Sequence, residues 1–231
     1  MKNQFKKIES LITLDRKPFY QKTAKYISQL NNPKILDIGS GYGEFAKTID
    51  KVETFMVENN PVSVEYLKKD FPNVFQAKAD KLPFDDEYFD LIHCSHLIEH
   101  LYPQEFYSFM KECDRVLRDG GFLCIAAPLM SPMFYWDLSH IKPYDPSIFK
   151  RYMVNGDESC TTRPLVSQKY EIIEECYRYY VVPPDDSEFF MYSEFLTKIY
   201  RKIKFILHKI GFRKLDKNGF FLVLRKNPSK E

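Results

Sequence analysis

One segment near the start of the chain constrains the fold more than any other. An apolar stretch, residues 34–38, runs directly into a turn with glycines at alternate positions, Gly39, Gly41 and Gly43. Glycine in such a turn lets the backbone approach a ligand closely and adopt angles closed to other residues. Glu44 occupies the place of the third glycine in the turn of dinucleotide-binding proteins. Because a carboxylate at a helix start repels a pyrophosphate, this turn favours a ligand whose near end is cationic.

The apolar pattern along the rest of the chain predicts an α/β fold. Five short apolar runs, separated by segments with helical spacing, read KILDIG, TFMVEN, NVFQAKAD, FDLIHCS and GFLCIAAP. This alternation favours β-α-β units and a parallel sheet. Two later runs, YEIIEECYRYYVV and NGFFLVLRKN, predict two more strands. We therefore expect a Rossmann-like, seven-stranded, mostly parallel sheet with helices on both faces, N-terminal helices and a helical insertion before the last strand.

The length of 231 residues suits a single domain. We expect residues 1–31 to form a helical lid, with helices at 2–14 and 18–30, ahead of a cofactor-binding half at 32–128. Residues 129–231 would then supply an acceptor-binding loop, a basic helix and the last strands. No apolar run approaches the roughly 20 residues that span a bilayer, and the first residues lack the apolar core of a secretory signal. A cytoplasmic location is the expectation.

Acidic residues follow the first three predicted strands at informative positions. Glu58 ends the second strand 21 residues after Asp37, close to the interval of roughly 20 residues at which a carboxylate meets the hydroxyls of a bound ribose. Asp80 follows the third strand beside Leu82, where it could accept a hydrogen bond from an adenine amino group. Each residue alone is equally well explained as a helix cap or a solvated charge. Their order and spacing together predict a nucleoside site.

These elements together resemble the class I S-adenosylmethionine-dependent methyltransferases, particularly the broad group that includes the ubiquinone-biosynthesis O-methyltransferases. The segments that carry the resemblance are LDIGSGYG, Glu58 at its strand end, ADKLPF with DDEYFD, CSHLIEHL and DRVLRDGGFLCIAAP. They cover roughly residues 33–128. The pattern is specific for the fold and for S-adenosylmethionine as cofactor, and it is not specific for the methyl acceptor.

The resemblance implies three groups of cofactor-binding residues, one for each part of the cofactor, and two further residues near its sulfonium. The group at the methionine end is Asp37, Gly39, Ser40, Gly41 and Gly43. The ribose would be held by Glu58 with the adjoining Asn59, and the adenine by Asp80, Lys81 and Leu82. Ser95 and His96, just past the fourth strand, would line the floor near the sulfonium.

The predicted loop after the fifth strand contains the first candidate for a catalytic base. Methyl transfer mainly requires alignment, but an acceptor hydroxyl must lose its proton, and histidine suits that task. His140 lies in this aromatic loop, within a segment that resembles an Asp-x-x-His-x-x-Pro-aromatic stretch found at the same place in many glycan- and small-molecule-modifying members of the group. A loop histidine that only bonds the backbone is the open alternative. The nearby aromatic residues could stack on an acceptor or pack the loop.

A second constellation, His96, Glu99 and His100, has the spacing i, i+3, i+4, so on a helix the three would share one face. Such a face could hold a metal, and some relatives use an acidic and histidine cluster here for a divalent ion. This sequence departs from theirs, because His96 stands where an acidic residue is usual. We expect no metal, and we expect Glu99 and His100 to shape the acceptor pocket, with His100 as the second catalytic candidate.

A basic amphipathic segment precedes the last strand. Between Phe195 and Leu215 there are seven lysines and arginines and no acidic residue, in a chain whose formal net charge is only +2. Apolar residues recur there at intervals of three and four, which predicts a long helix that begins near Ser187. The helix at 195–214 could contact an anionic membrane or a phosphorylated acceptor, or it could pack on the sheet with a solvated basic face. The small net charge argues against nucleic acid.

The sequence thus predicts a methyltransferase, with O-methylation of a sugar or glycan intermediate, including a phosphorylated or lipid-linked one, or of another small metabolite. A nicotinamide-dependent oxidoreductase would share the fold but is disfavoured by Glu44 and the glycine spacing. A non-catalytic module that keeps the fold stays open as a third class. Asp37, Glu58 and Asp80 favour retained cofactor binding in that case.

Overall fold

The computed structural model describes residues 11–49, 52–182, 193–212 and 214–228. One seven-stranded sheet runs through this part of the chain in the order β3-β2-β1-β4-β5-β7-β6. Its strands are β1 Ile35–Ile38, β2 Thr54–Glu58, β3 Val74–Gln76, β4 Phe89–Ser95, β5 Leu117–Pro128, β6 Tyr170–Val181 and β7 Leu215–Lys226. β7 is antiparallel to both of its neighbours, whereas the pairs among β1 to β5 are parallel. The predicted Rossmann-like, mostly parallel sheet is confirmed.

Helices cover both faces of the sheet because its central strands bury side chains on both sides. The α-helices are α1 Lys17–Ile27, α2 Glu44–Thr48, α3 Pro61–Leu67, α4 Pro103–Val116, α5 Pro146–Phe149 and α6 Glu194–Lys209. Leu36 and Ile38 of β1 belong to the core under α4, and Ile35 belongs to the core under α1. Side chains on opposite faces of the sheet therefore pack into two separate cores.

Local sequence signals explain where the main helices begin. Pro103 occupies the first turn of α4, and the Glu105 carboxylate accepts a hydrogen bond from the Tyr102 backbone N–H at 2.9 Å, which satisfies one free donor of the helix start. α1 likewise has a proline in its first turn and packs Phe19 against Phe221 of β7 at a ring distance of 5.4 Å. The predicted helix at 18–30 is confirmed as α1.

The predicted helix at 2–14 is wrong where it can be compared with the structure. Residues 2–10 lie outside the described residues, and residues 11–14 form an extended segment along β6. Thr13 N donates to Tyr179 O at 3.1 Å, and Tyr179 N donates to Leu11 O at 2.8 Å. The buried Arg178 guanidinium also donates to Leu14 O at 3.1 Å. The backbone groups at the outer edge of the sheet favour strand-like pairing there over helix formation.

The predicted basic helix is present, with one difference. Ser187, where we expected it to begin, lies outside the described residues, and α6 begins at Glu194 after Ser193, whose hydroxyl accepts from Leu196 N. None of its described residues is buried. Contact with an anionic partner and packing on the sheet both stay predictions for this helix. Among these residues, no helix combines the length and apolar character needed to cross a bilayer.

Candidate active site

The glycine turn between β1 and α2 places three left-handed residues at the carboxyl edge of the sheet. Gly39, Gly41 and Gly43 have φ values of 75°, 55° and 79°, a region that favours glycine. A Cβ on Gly39 would come within 3.1 Å of the Leu97 side chain, but a Cβ on Gly41 would meet nothing within 4 Å. Gly39 is therefore also required for packing, whereas Gly41 borders open space.

Glu58 joins this turn to the end of β2. Its Oε2 accepts a hydrogen bond from Gly41 N at 2.9 Å, and its Oε1 accepts from Asn60 N at 2.9 Å. Each carboxylate oxygen keeps a further lone pair after these bonds. Glu58 thus orders the glycine turn and still offers two acceptor positions, while Asn59 beside it is exposed.

Asp37 lies inside β1 and is 2% exposed. Its Oδ1 is 2.8 Å from His93 Nδ1 on the adjacent β4, and the His93 ring stacks on Phe45 with centroids 3.6 Å apart. Its other oxygen, Oδ2, has no hydrogen-bond partner in the described part of the chain. A buried carboxylate oxygen without a donor is costly, so this atom suits a cationic ligand.

His93 was missed from the sequence, although a signal was present. It is a polar residue within an apolar buried strand, FDLIHCS, and it stands directly opposite Asp37 in the β1–β4 register. Only the register brings the two together, since they are 56 residues apart in the chain. A buried polar residue in each of two adjacent strands is the signal that could have paired them.

The segment after β3 forms the third wall of the predicted cofactor site. Lys81 and Leu82 line a cavity of about 280 Å³ together with Ala77, and Asp80 is half-buried beside them. Its shape depends on α4, because the Glu112 carboxylate accepts from Leu82 N at 2.7 Å.

Arg115, one turn further along α4, completes this support. Its guanidinium donates to Phe84 O at 2.7 Å and to Leu82 O at 3.1 Å, and it also contacts both oxygens of Glu112 at 2.8 Å. Glu112 and Arg115 were not predicted from the sequence, because charges three residues apart on a helix are usually no more than a solvated pair.

The Glu112 contacts give a pH-dependent contribution to stability. Hydrogen bonding to Arg115 holds the pKa of Glu112 below its ordinary value of 4.5. A lowered folded-state pKa stabilises the fold above the unfolded pKa, and this stabilisation disappears as pH falls through the folded value. We expect Glu112→Gln to lower the free energy of unfolding by about 1.5–3 kcal/mol at neutral pH, the range for hydrogen bonds with charged partners.

Urea unfolding of both proteins over a pH series tests this. The difference between them should shrink as the pH falls below 4.5, the ordinary pKa of the residue. The exposed Glu65→Gln on α3 is the matched control and should show no such difference. A difference that stays constant into acid would contradict the assigned role of the charge.

The turn after β4 differs from the predicted helical face. Ser95 is buried as the last residue of β4, and His96 adopts a left-handed conformation with φ of 55° before a short 3-10 helix, Ile98–His100. His96, Glu99 and His100 therefore do not lie on one face of a helix, and that expectation is wrong. His96 Nδ1 nevertheless lies 3.2 Å from Glu99 Oε1, and burial lowers the pKa of His96.

The structure instead brings His140 to Glu99 and His100. One carboxylate oxygen and one nitrogen from each ring lie within 4.8 Å of one another. Glu99 is 1% exposed, and its carboxylate oxygens make no hydrogen bond within the described part of the chain beyond the 3.2 Å approach of His96 Nδ1. Two imidazoles and a carboxylate are ligands that divalent transition metals accept, so these three residues could hold such an ion. The predicted absence of a metal stays a prediction.

His140 is oriented by the loop after β5. Its Nδ1 lies 2.7 Å from the carbonyl oxygen of Phe134, within a second 3-10 helix, Pro132–Trp136. A carbonyl can only accept, so Nδ1 carries a proton and Nε2 is left with the lone pair in the neutral ring. His100 Nδ1 makes the same kind of bond to Ser139 O at 3.1 Å. The predicted alternative, a hydrogen bond to the backbone, is therefore present. It occupies one nitrogen of His140 and leaves the other available for chemistry.

A mainly apolar groove is formed by other elements at the same edge of the sheet. It has a volume of about 370 Å³ and lies between the extended segment 12–14, the 3-10 helix Pro132–Trp136 and the end of β6. Its lining includes Ile12, Met133 and Tyr180. Since β6 runs in the same direction as β5, the groove opens at the carboxyl edge of the sheet, where ligands bind in open α/β folds.

Comparisons with known proteins agree with this architecture. Residues 36–125 match the family described as "Methyltransferase domain". A demethylmenaquinone methyltransferase of Chlorobaculum parvum is 26% identical over 201 residues, which cover 85% of this chain and 72% of that protein. Several further curated relatives match over shorter stretches, and the chain covers between 35% and 47% of their length.

Solved structures show the same fold. A SAM-dependent methyltransferase from Archaeoglobus fulgidus superposes with a TM-score of 0.57 and 22% identity over 96% of this chain and 99% of that one. The 1,6-didemethyltoxoflavin N1-methyltransferase of Burkholderia thailandensis, solved with S-adenosylhomocysteine, has a TM-score of 0.55 and 11% identity over 91% of this chain and 77% of that one. The chain therefore carries a methyltransferase domain with S-adenosylmethionine as its cofactor, and its fold is similar to that of the class I S-adenosylmethionine-dependent methyltransferases.

Proposed function

We propose that the protein methylates a hydroxyl group on an acceptor that combines a polar, hydroxylated head with an apolar portion. A lipid-linked sugar or glycan intermediate has this chemistry, as do other amphipathic metabolites. The observation that carries the proposal is the position of His140, whose unprotonated nitrogen is oriented by the same 3-10 helix that forms one wall of the apolar groove.

The cofactor fits the residues at the carboxyl edge. The unpartnered Asp37 Oδ2 would accept from the ammonium of the methionine end, and the open space beside Gly41 leaves room for that end to approach the turn formed by Gly39, Ser40 and Gly43. When bound, S-adenosylmethionine supplies an electrophilic methyl group. Ser95 and His96 would lie near the sulfonium.

The nucleoside end is assigned to two further walls. Glu58, with Asn59 beside it, would accept from the two ribose hydroxyls through the lone pairs that its backbone contacts leave open. Asp80, Lys81 and Leu82 would hold the adenine against the cavity after β3. Support comes from the order of these residues along one sheet edge, which matches the binding crevice of open α/β folds.

The chain's own chemical contribution is proton removal and positioning. His140 Nε2 would take the proton from the acceptor hydroxyl as the oxygen forms its new bond to carbon, and the Phe134 carbonyl would stabilise the resulting imidazolium through Nδ1. His100, whose ring centroid is 5.0 Å from that of His140, would hold the other side of the acceptor head.

The apolar lining of the groove supports the apolar portion of the proposed acceptor. Its lining is mainly apolar, so a ligand lacking apolar surface would gain little there from leaving water. The name of the demethylmenaquinone methyltransferase among the relatives supports the apolar portion of the acceptor and has no bearing on the hydroxyl. The exposed Trp136, at the rim of the groove, could stack on a ring of the acceptor head.

Labelling with trideuteromethyl S-adenosylmethionine tests the proposal. The protein is incubated with the cofactor and with separate lipid and aqueous extracts of the source cells, and labelled products are identified by mass spectrometry. We expect a labelled methyl ether in the lipid extract, and no label with a Glu58→Ala control. A label on nitrogen or carbon would overturn O-methylation, and a product confined to the aqueous extract would overturn the apolar portion.

A further inference from the structure

α6 presents its apolar side away from the rest of the protein. The half-buried residues of the helix, which form one stripe, are Thr197, Tyr200, Lys204 and His208. Seven apolar side chains lie on another part of its circumference and are 39% to 71% exposed: Phe195, Leu196, Ile199, Ile203, Ile206, Leu207 and Ile210. Phe205, also exposed, lies apart from them, with its ring centroid 4.8 Å from Lys209 Nζ. An amphipathic helix of a globular domain normally turns its apolar stripe inward. This orientation leaves a continuous apolar face without a partner among the described residues.

Charge distinguishes the possible partners of this face. Lys198, Lys202 and Lys209 are exposed and follow one another along the border of the apolar face at helical intervals of four and seven. Glu194 is the only acidic residue of the helix. A second copy of the chain would bring these like charges together, which is unfavourable, whereas an anionic lipid surface complements them. The pattern is that of helices that lie in the interfacial plane of a bilayer.

The position of the helix connects this face to the active site. Val181 at the end of β6 pairs with Leu215 at the start of β7, so the insertion that contains α6 leaves and re-enters the sheet at its carboxyl edge. Tyr180 and Val181 also line the apolar groove. Two further apolar residues on the loop after β5, Trp136 and Leu138, are 77% and 102% exposed.

We propose that α6 docks the protein on the surface of an anionic membrane, with its apolar face at the acyl boundary and its lysines at the headgroups. The helix lies on the membrane and does not cross it. Docking places the mouth of the groove near the bilayer, from which an amphipathic acceptor can enter. The proposal rests on the helix and holds whatever the acceptor is.

Sedimentation with lipid vesicles tests the docking of the full chain. We expect it to bind vesicles of phosphatidylcholine mixed with phosphatidylglycerol, to bind phosphatidylcholine alone much more weakly, and to lose affinity as salt is raised. The triple variant K198Q/K202Q/K209Q should bind on the order of a hundredfold more weakly, since each surface lysine contributes about fivefold. The variant I203Q/I206Q/I210Q should also lose binding.

Matched controls separate docking from folding and from catalysis. K25Q/K68Q/K69Q removes the same charge from exposed sites elsewhere and should retain vesicle binding, as should Glu58→Ala, which disables only the cofactor site. Far-UV circular dichroism checks that the exposed substitutions leave the fold intact.

Three outcomes would overturn the proposal. The first is a wild-type chain that does not bind anionic vesicles. The second is an equal loss of vesicle binding in both triple-lysine variants. The third is a dimer, seen by light scattering, that the isoleucine variant dissociates while vesicle binding is absent, because the face would then be covered by a second copy.

Discussion

Replacing Glu58 with alanine is expected to weaken S-adenosylmethionine binding by at least about a hundredfold. The substitution removes the two proposed ribose contacts, and hydrogen bonds to a charged group contribute roughly 1.5–3 kcal/mol each. It also releases Gly41 N and Asn60 N, which the carboxylate holds at 2.9 Å. The glycine turn would then have to be ordered by the ligand, which further lowers affinity.

Isothermal titration calorimetry with S-adenosylmethionine and S-adenosylhomocysteine measures this effect. Glu65→Ala, an exposed carboxylate on the neighbouring α3, is the matched control and should bind both ligands as the wild type does. Wild-type protein titrated with NAD should give no binding, as expected from Glu44 at the helix start. If Glu58→Ala bound S-adenosylmethionine with unchanged affinity, the ribose assignment would have to be abandoned.

The sheet could be predicted from the sequence because its strands carry their signal locally. Each central strand is a short apolar run bounded by turn or helix signals, and the runs occur in chain order with helices between them. The reversed direction of β7 has no such local signal. It follows from the return of the chain through the insertion that contains α6, which places the start of β7 beside the end of β6.

The positions of the proposed cofactor-binding residues were partly predictable for the same reason. Gly39, Gly41 and Glu58 lie where local spacing indicated, at the ends of β1 and β2. The contacts that support them join residues far apart in the chain: Asp37 with His93, and Leu82 with Glu112. Such pairs depend on strand register and on the position of α4 against the loop, which spacing along the chain does not specify.

The surface of the molecule was the hardest part to predict. The periodicity of α6 indicates an amphipathic helix, but it does not indicate which side of the helix faces the protein. The helix turns a stripe with Lys204 and His208 inward and Ile203 outward. The path of residues 11–14 was missed as well, because β6 supplies backbone partners that favour an extended segment over a helix.

Replacing His140 with glutamine is expected to lower kcat by about a hundredfold to ten-thousandfold, the range for loss of a general base. Glutamine can keep a hydrogen bond from its amide to the Phe134 carbonyl, so the loop should retain its conformation, but it cannot take a proton. Affinity for S-adenosylmethionine should stay at the wild-type value, because the proposed cofactor contacts lie on other elements.

Steady-state kinetics with the acceptor found by labelling decide the role of His140. His208→Gln on α6 is the matched control for a histidine outside the site, and it should keep wild-type kcat. If His140→Gln turned over normally while His100→Gln lost activity, the base would be His100, since its Nδ1 is held by Ser139 O in the same way and its other nitrogen keeps a lone pair in the neutral ring.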